Sequence, residues 1–137
     1  MIVLDTNVIS EPLKIQPSSK VMEWLDNQAA ETLFITAVSR AELRFGVLKL
    51  PDGKRKNALR THIDQVLDLF ADRTLSFDAA AADQLAMISA RCEKIGKRAV
   101  APDAYIAACA AARSFSVATR NVNHFGHTGV RVINPWE

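Results

Sequence analysis

The sequence predicts an α/β fold: a three-layer α/β/α sandwich with a central, mainly parallel sheet of four to five strands. Two patterns carry that expectation. Short apolar runs alternate along the chain with longer stretches of helical period, as parallel strands joined by right-handed helical crossovers require. The composition is that of a packed globule, with 49% hydrophobic and 23% charged residues and only five Gly and five Pro among 137. This length suits a single domain over residues 1–137, and the chain has no linker, internal repeat or low-complexity stretch.

Ile2 to Leu4 is continuously apolar and ends at Asp5-Thr6-Asn7, whose short polar side chains favour caps and turns, so it reads as a buried strand running into a helix. Ser19 to Ala29 places Val21, Trp24, Leu25 and Gln28 at helical spacing, and Thr32 to Thr36 reads as a second strand through Leu33, Phe34 and Ile35. From Ala37 to Leu50, the residues Val38, Ala41, Phe45 and Leu48 recur every three or four positions, which predicts a helix with that stripe on the core. Pro51-Asp52-Gly53 breaks it. Leu59, Ile63, Val66, Leu67 and Phe70 mark the next helix, entered through the basic run Lys54-Arg55-Lys56 together with Arg60. Thr74 to Phe77 is a weak strand. Asp78 is placed to cap a helix carrying Ala81, Leu85, Ile88 and Cys92, which Gly96 closes. A helix of small residues from Pro102 to about Ala112 follows, then strands at Ser116 to Thr119 and Val130 to Ile133.

Seventeen Lys plus Arg against fifteen Asp plus Glu leave a net charge of +2, too small to argue for a nucleic-acid partner by itself. Cys92 and Cys109 lie far apart with no ligand-type neighbours, so two buried free thiols are expected rather than a zinc knuckle or a redox pair. Asp5 stands where a secretory signal would need a basic stretch and a longer apolar run, and no apolar segment approaches the ~20 residues of a membrane span. A soluble, cytoplasmic protein without membrane contact is expected.

Asp5 falls at the carboxyl end of a strand, where ligands gather in open α/β sheets, although an Asp there also serves as a plain helix cap. Glu42 lies on the stripe expected to face the core, where a carboxylate needs a partner. Ser39 and Glu42 match a capping box, but Thr36 is a competing cap that would put Glu42 well inside the helix. Asp103 follows Pro102 in a first helical turn, and the small residues from Ala107 to Ala112 let that helix lie close to the sheet and carry Asp103 towards the strand ends. Thr119-Arg120-Asn121 follows Val117-Ala118 much as Asp5-Thr6-Asn7 follows the first strand. His124 and His127 flank Phe125-Gly126 and are expected to be solvated or structural loop histidines; His62 has weaker claims still. Together the acids come from separate segments to one rim of a sheet. Clustered carboxylates repel, and a shared proton or a divalent cation relieves them; an oxygen-rich site suits Mg²⁺ or Mn²⁺, above all when a substrate phosphate completes the shell. The residues point to metal-assisted phosphoryl chemistry.

The opening string Met1-Ile2-Val3-Leu4-Asp5-Thr6-Asn7-Val8-Ile9-Ser10-Glu11 closely resembles that of PIN-domain proteins, specifically VapC-like toxins of type II toxin-antitoxin modules and their FitB-like branch. Ala41-Glu42-Leu43-Arg44-Phe45-Gly46, Leu50-Pro51-Asp52-Gly53, Asp103-Ala104-Tyr105-Ile106-Ala107-Ala108, Ala118-Thr119-Arg120-Asn121 and Asn134-Pro135-Trp136 match in family order and span essentially the whole chain. The resemblance implies a PIN-like fold and a Mg²⁺- or Mn²⁺-dependent endoribonuclease leaving 5′-phosphate ends. It implies as partners a cognate antitoxin that inhibits the enzyme, a homodimer, and operator DNA reached through the antitoxin. Asp5, Glu42 and Asp103 match the acidic core, with Asp5 and Asp103 as the direct metal ligands. Asn121 matches a further site position, and Thr6 and Thr119 match hydroxyl residues beside the acids. Arg44, Arg120 and Lys54-Arg55-Lys56 are candidate phosphate contacts. One departure stands out: relatives commonly carry Asp-Phe where this chain has His124-Phe125, which leaves one resident cation plus a metal brought by the substrate as the expected arrangement. The alternative is a non-catalytic RNA- or partner-binding module on the same fold, against which Asp5, Glu42 and Asp103 argue. A phosphatase using Asp5 as nucleophile lacks the second acid two residues on, where Asn7 stands.

Overall fold

Val3 and Leu4 point to opposite faces of their strand, and each is buried, so the first strand must be covered on both sides. The computed structural model describes residues 1–137 and places β1 (Ile2–Leu4) at the centre of a five-stranded sheet. The others are β2 (Leu33–Thr36), β3 (Thr74–Leu75), β4 (Ser116–Ala118) and β5 (Val132–Ile133). Their order is β3-β2-β1-β4-β5, and every neighbouring pair is parallel. In register, Val3 lies beside Phe34 on one side and Val117 on the other.

Two cores follow from this alternation. On one face, Val3, Val117 and Leu75 pack under α5 (Ala79–Lys94) and α6 (Asp103–Ala112). On the other, Leu4, Leu33, Ile35 and Ala118 pack under α1 (Thr6–Ser10), α2 (Ser19–Asp26), α3 (Ala37–Leu48) and α4 (Lys54–Leu69). The three-layer sandwich is therefore present. The sheet proves wholly parallel, and because β1 starts the chain yet lies in the middle, the winding reverses beside it. The loops after β1 and β4 consequently open a crevice at the carboxyl edge.

The small-residue helix behaves as its composition requires: Ala104, Ala107, Ala108, Cys109 and Ala110 are all buried, so α6 is enclosed on nearly every side. Asp78 caps α5 by accepting from Ala81 N at 3.0 Å. Cys92 and Cys109 are free and buried, and burial, with Asp78 adding, pushes the Cys109 thiol up to about 11. No helix is long and apolar enough to cross a membrane.

Three expectations need correction. In α3 the buried residues are Ser39, Leu43 and Val47, while Phe45 and Leu48 are 65% and 62% exposed and Ala41 is exposed. Thr36 is the cap, accepting from Ser39 N at 3.0 Å, and the Thr36 and Ser39 hydroxyls pair at 3.1 Å. With its polar atoms satisfied, Ser39 can be buried, and the helix turns its less apolar-looking stripe inward. Helix α2 stops at Asp26, and a 3₁₀ turn, Ala30–Thr32, leads into β2. His124 belongs to a short helix, α7 (Val122–Phe125), held down by the fully buried Phe125.

Candidate active site

Asp5 is the first residue beyond β1, and its backbone N still donates to Ala118 O at 2.9 Å, so the sheet itself fixes its position. The residue is only 2% exposed. One oxygen accepts from Thr6 N at 2.7 Å, capping α1; the other accepts from Thr119 Oγ1 at 2.7 Å and from Asn7 Nδ2 at 3.0 Å. The cap and the candidate site residue are thus the same group. Burial raises the Asp5 carboxyl to about 6, the nearby charges of Asp103 and Glu42 add to the rise, and the bonds from Thr119 and Thr6 oppose it.

Glu42 projects from the second turn of α3, half-buried, and its Oε1 accepts from Thr6 Oγ1 at 2.7 Å. Asp103 opens α6, is 8% exposed, and meets His124 Nδ1 through Oδ2 at 2.7 Å. Thr119 is fully buried and also receives Asn121 N at 2.9 Å and Asn7 Nδ2 at 3.3 Å. The structure therefore brings Asp5, Thr6, Glu42 and Thr119 into one bonded network, with Asp103 near enough to act on Asp5 electrostatically. None of the three acids pairs with a lysine or arginine. As they stand, no three His, Cys, Asp or Glu side chains converge to chelate one ion.

Asn121 is exposed and lines a polar cleft of about 470 Å³ with Arg120, Asn123, His124 and Asn134. A second, more apolar cleft of about 310 Å³ adjoins Thr6 and Glu42 and is walled by Leu13, Leu43, Val47 and Leu59. The basic candidates divide. Arg44 forms an ion pair with Asp64 across α3 and α4; Lys56 bonds Leu48 O and Asp52 Oδ1, each at 3.2 Å. Arg120 is exposed at the cleft with its guanidinium 5.1 Å from the Trp136 ring centre, and Lys54 and Arg55 are exposed at the start of α4.

His124 is the contact that sequence reasoning passed over. The departure at His124-Phe125 from the pattern the chain resembles was a usable signal, but the short helix that aims His124 at Asp103 leaves no periodic trace in four residues. His62 is exposed on α4, and the backbone carbonyl of His127 faces the Cys92 thiol at 3.9 Å.

Residues 2–129 match the PIN domain family. The toxin FitB of Neisseria gonorrhoeae is 47% identical over 137 residues, which cover 99% of this chain and 99% of that protein. The VapC ribonuclease Y4jK of Sinorhizobium fredii is 45% identical over 138 residues, covering 100% and 99%. Among solved structures, FitAB bound to an IR36 DNA fragment superposes with a TM-score of 0.96 at 46% identity, covering 100% of this chain and 96% of that one. With the family pattern running from β1 past α7 and such relatives aligned over nearly their whole length, the chain belongs to the PIN domain family.

Proposed function

We propose that this chain is the toxin of a type II toxin-antitoxin module, a divalent-metal-dependent endoribonuclease that acts in the cytoplasm and is inhibited by a cognate antitoxin. The observation that carries the reading is the state of Asp5: an acid 2% exposed, lifted to about 6, beside two further acids that no lysine or arginine neutralises. Such a cluster lacks a positive charge, and a divalent cation supplies one. The donor set fits Mg²⁺ or Mn²⁺, because it is made of carboxylates and hydroxyls and because Mg²⁺ is ordinarily held by one or two carboxylates plus waters and phosphate rather than by a closed protein cage. Similarity to a protein named toxin FitB and to one named VapC ribonuclease supports the reaction class.

Asp5 and Asp103 would hold the ion, with Glu42 as the third acid and Asn121 at the rim. Such an ion, when bound, would supply charge to polarise a phosphate and to lower the pKa of a water. The remaining work falls to the chain. Thr119 and Asn7 fix one oxygen of Asp5, and Thr6 fixes Glu42, so the acids stay aimed while RNA comes and goes. Arg120, Lys54 and Arg55 are the cations left free to meet phosphates; Arg44 and Lys56 serve packing partners instead. The apolar cleft beside Thr6 and Glu42 offers the antitoxin a surface that leads to the acids. A homodimer, and operator DNA reached through the antitoxin, complete the proposed assembly.

Purified protein incubated with total RNA tests this. Cleavage in Mg²⁺ or Mn²⁺ that stops with chelator and is absent in Asp103→Asn is the expected outcome. RNA bound but left intact would instead make the chain a catalytically inactive binding module.

A further inference from the structure

His124 is the side chain bonded to the Asp103 carboxylate, and its surroundings give it a task at the site. Its Nδ1 lies 2.7 Å from Asp103 Oδ2. The His124 side chain is 47% exposed and the Asp103 side chain 11% exposed, so a half-exposed ring meets a nearly covered carboxylate. Asp103 Oδ1 makes no hydrogen bond, yet it is not among the atoms sealed from solvent without a partner. One oxygen is thus taken and the other left accessible. The backbone of His124 is held from its own side: the next residue, Phe125, is fully buried, and His124 N donates to Asn121 O at 3.0 Å. An acid at this position would repel Asp103. An imidazole N–H attracts it and fixes the carboxylate plane.

We propose that His124 is a positioning residue for Asp103, donating Nδ1–H to Oδ2 so that Oδ1 alone is presented to a divalent cation. The inference rests on the metal-dependent reading of the site. It gives α7 a purpose that reaches beyond the chain's own packing: this short helix carries the donor that orders a ligand on α6. Outer groups that hold ligating side chains contribute about 10- to 100-fold in metal affinity, so loss of the ring should be read there first.

The test uses the full chain. In nitrogen NMR of the metal-free protein, His124 carries its proton on Nδ1, and a ring protonated on Nε2 alone overturns the proposal. In Mn²⁺ titrations followed by electron paramagnetic resonance, His124→Ala weakens binding by about 10- to 100-fold. His124→Asn, which keeps an N–H donor near the Nδ1 position, restores most of that loss, whereas His124→Gln, with its donor one bond farther out, does not. Unchanged affinity in His124→Ala, while Asp103→Asn abolishes binding, overturns the positioning role and leaves the metal reading standing. Nitrogen coupling to bound Mn²⁺ that disappears in His124→Ala makes the ring a direct ligand and also overturns the proposal. A wild-type protein that binds no Mn²⁺ overturns both.

Discussion

Asp5 serves two demands that conflict. As a cap it is best ionised, because it accepts from Thr6 N at the start of α1; as a buried acid beside Asp103 and Glu42 it is better protonated. Burial and repulsion win, and the group sits at about 6 against an ordinary value of 3.8. Between those two values the folded chain keeps a proton that the unfolded chain releases, so stability of the metal-free protein falls as pH rises through about 6. A shift of about two units corresponds to roughly 3 kcal/mol, and Asn at this position forfeits an acceptor worth about 1 kcal/mol. Asp5→Asn is therefore expected to stabilise the metal-free protein by about 1–2 kcal/mol at pH 7.5, with the gain shrinking towards pH 5; urea unfolding at both pH values measures it. A destabilised variant at pH 7.5 would mean that the cap outweighs the charge conflict.

Helices in this chain differ in how plainly their sequences declare them. The cap at Asp78 and the breaker at Gly96 are chemical signals, and α5 follows them; α6 is legible from small residues alone. The face of α3 was not. Val38, Ala41, Phe45 and Leu48 form the more apolar stripe, but the buried one is Ser39, Leu43 and Val47, because a serine whose hydroxyl is bonded to Thr36 behaves as a small core residue. Mutation distinguishes the two stripes. Leu43→Ala should cost about 2–5 kcal/mol, as a 5% exposed leucine does when a cavity replaces it, and Phe45→Ala should cost about 0.5–1 kcal/mol, since Phe45 is 65% exposed with the Lys49 ammonium 5.7 Å from its ring centre. Denaturant midpoints of the two variants decide between the faces, and a larger loss in Phe45→Ala would restore the first stripe.

At the scale of the molecule, alternation of runs and helices was enough to give parallel strands, while the order of strands came only with the structure: nothing local in two-residue β3 or β5 says which neighbour they join. Asp5 and Asp103 were legible because one stands just past an apolar run and the other at a helix start, whereas Glu42, inside α3, stood out only as a carboxylate on a stripe expected to be buried. The network between them was less so. That Thr6 holds Glu42 across 36 positions, or that α7 turns His124 onto Asp103, depends on long-range geometry with no period to read. The fold and the network together frame one physical claim, that uncompensated negative charge at the carboxyl edge of β1 and β4 is there to receive a divalent cation. Urea unfolding with and without Mn²⁺, in wild type and in Asp5→Asn, tests it most directly. At a metal concentration one hundred times its dissociation constant, wild type should gain about 2.7 kcal/mol and Asp5→Asn almost nothing; equal gains in both proteins, or none in wild type, would contradict the claim.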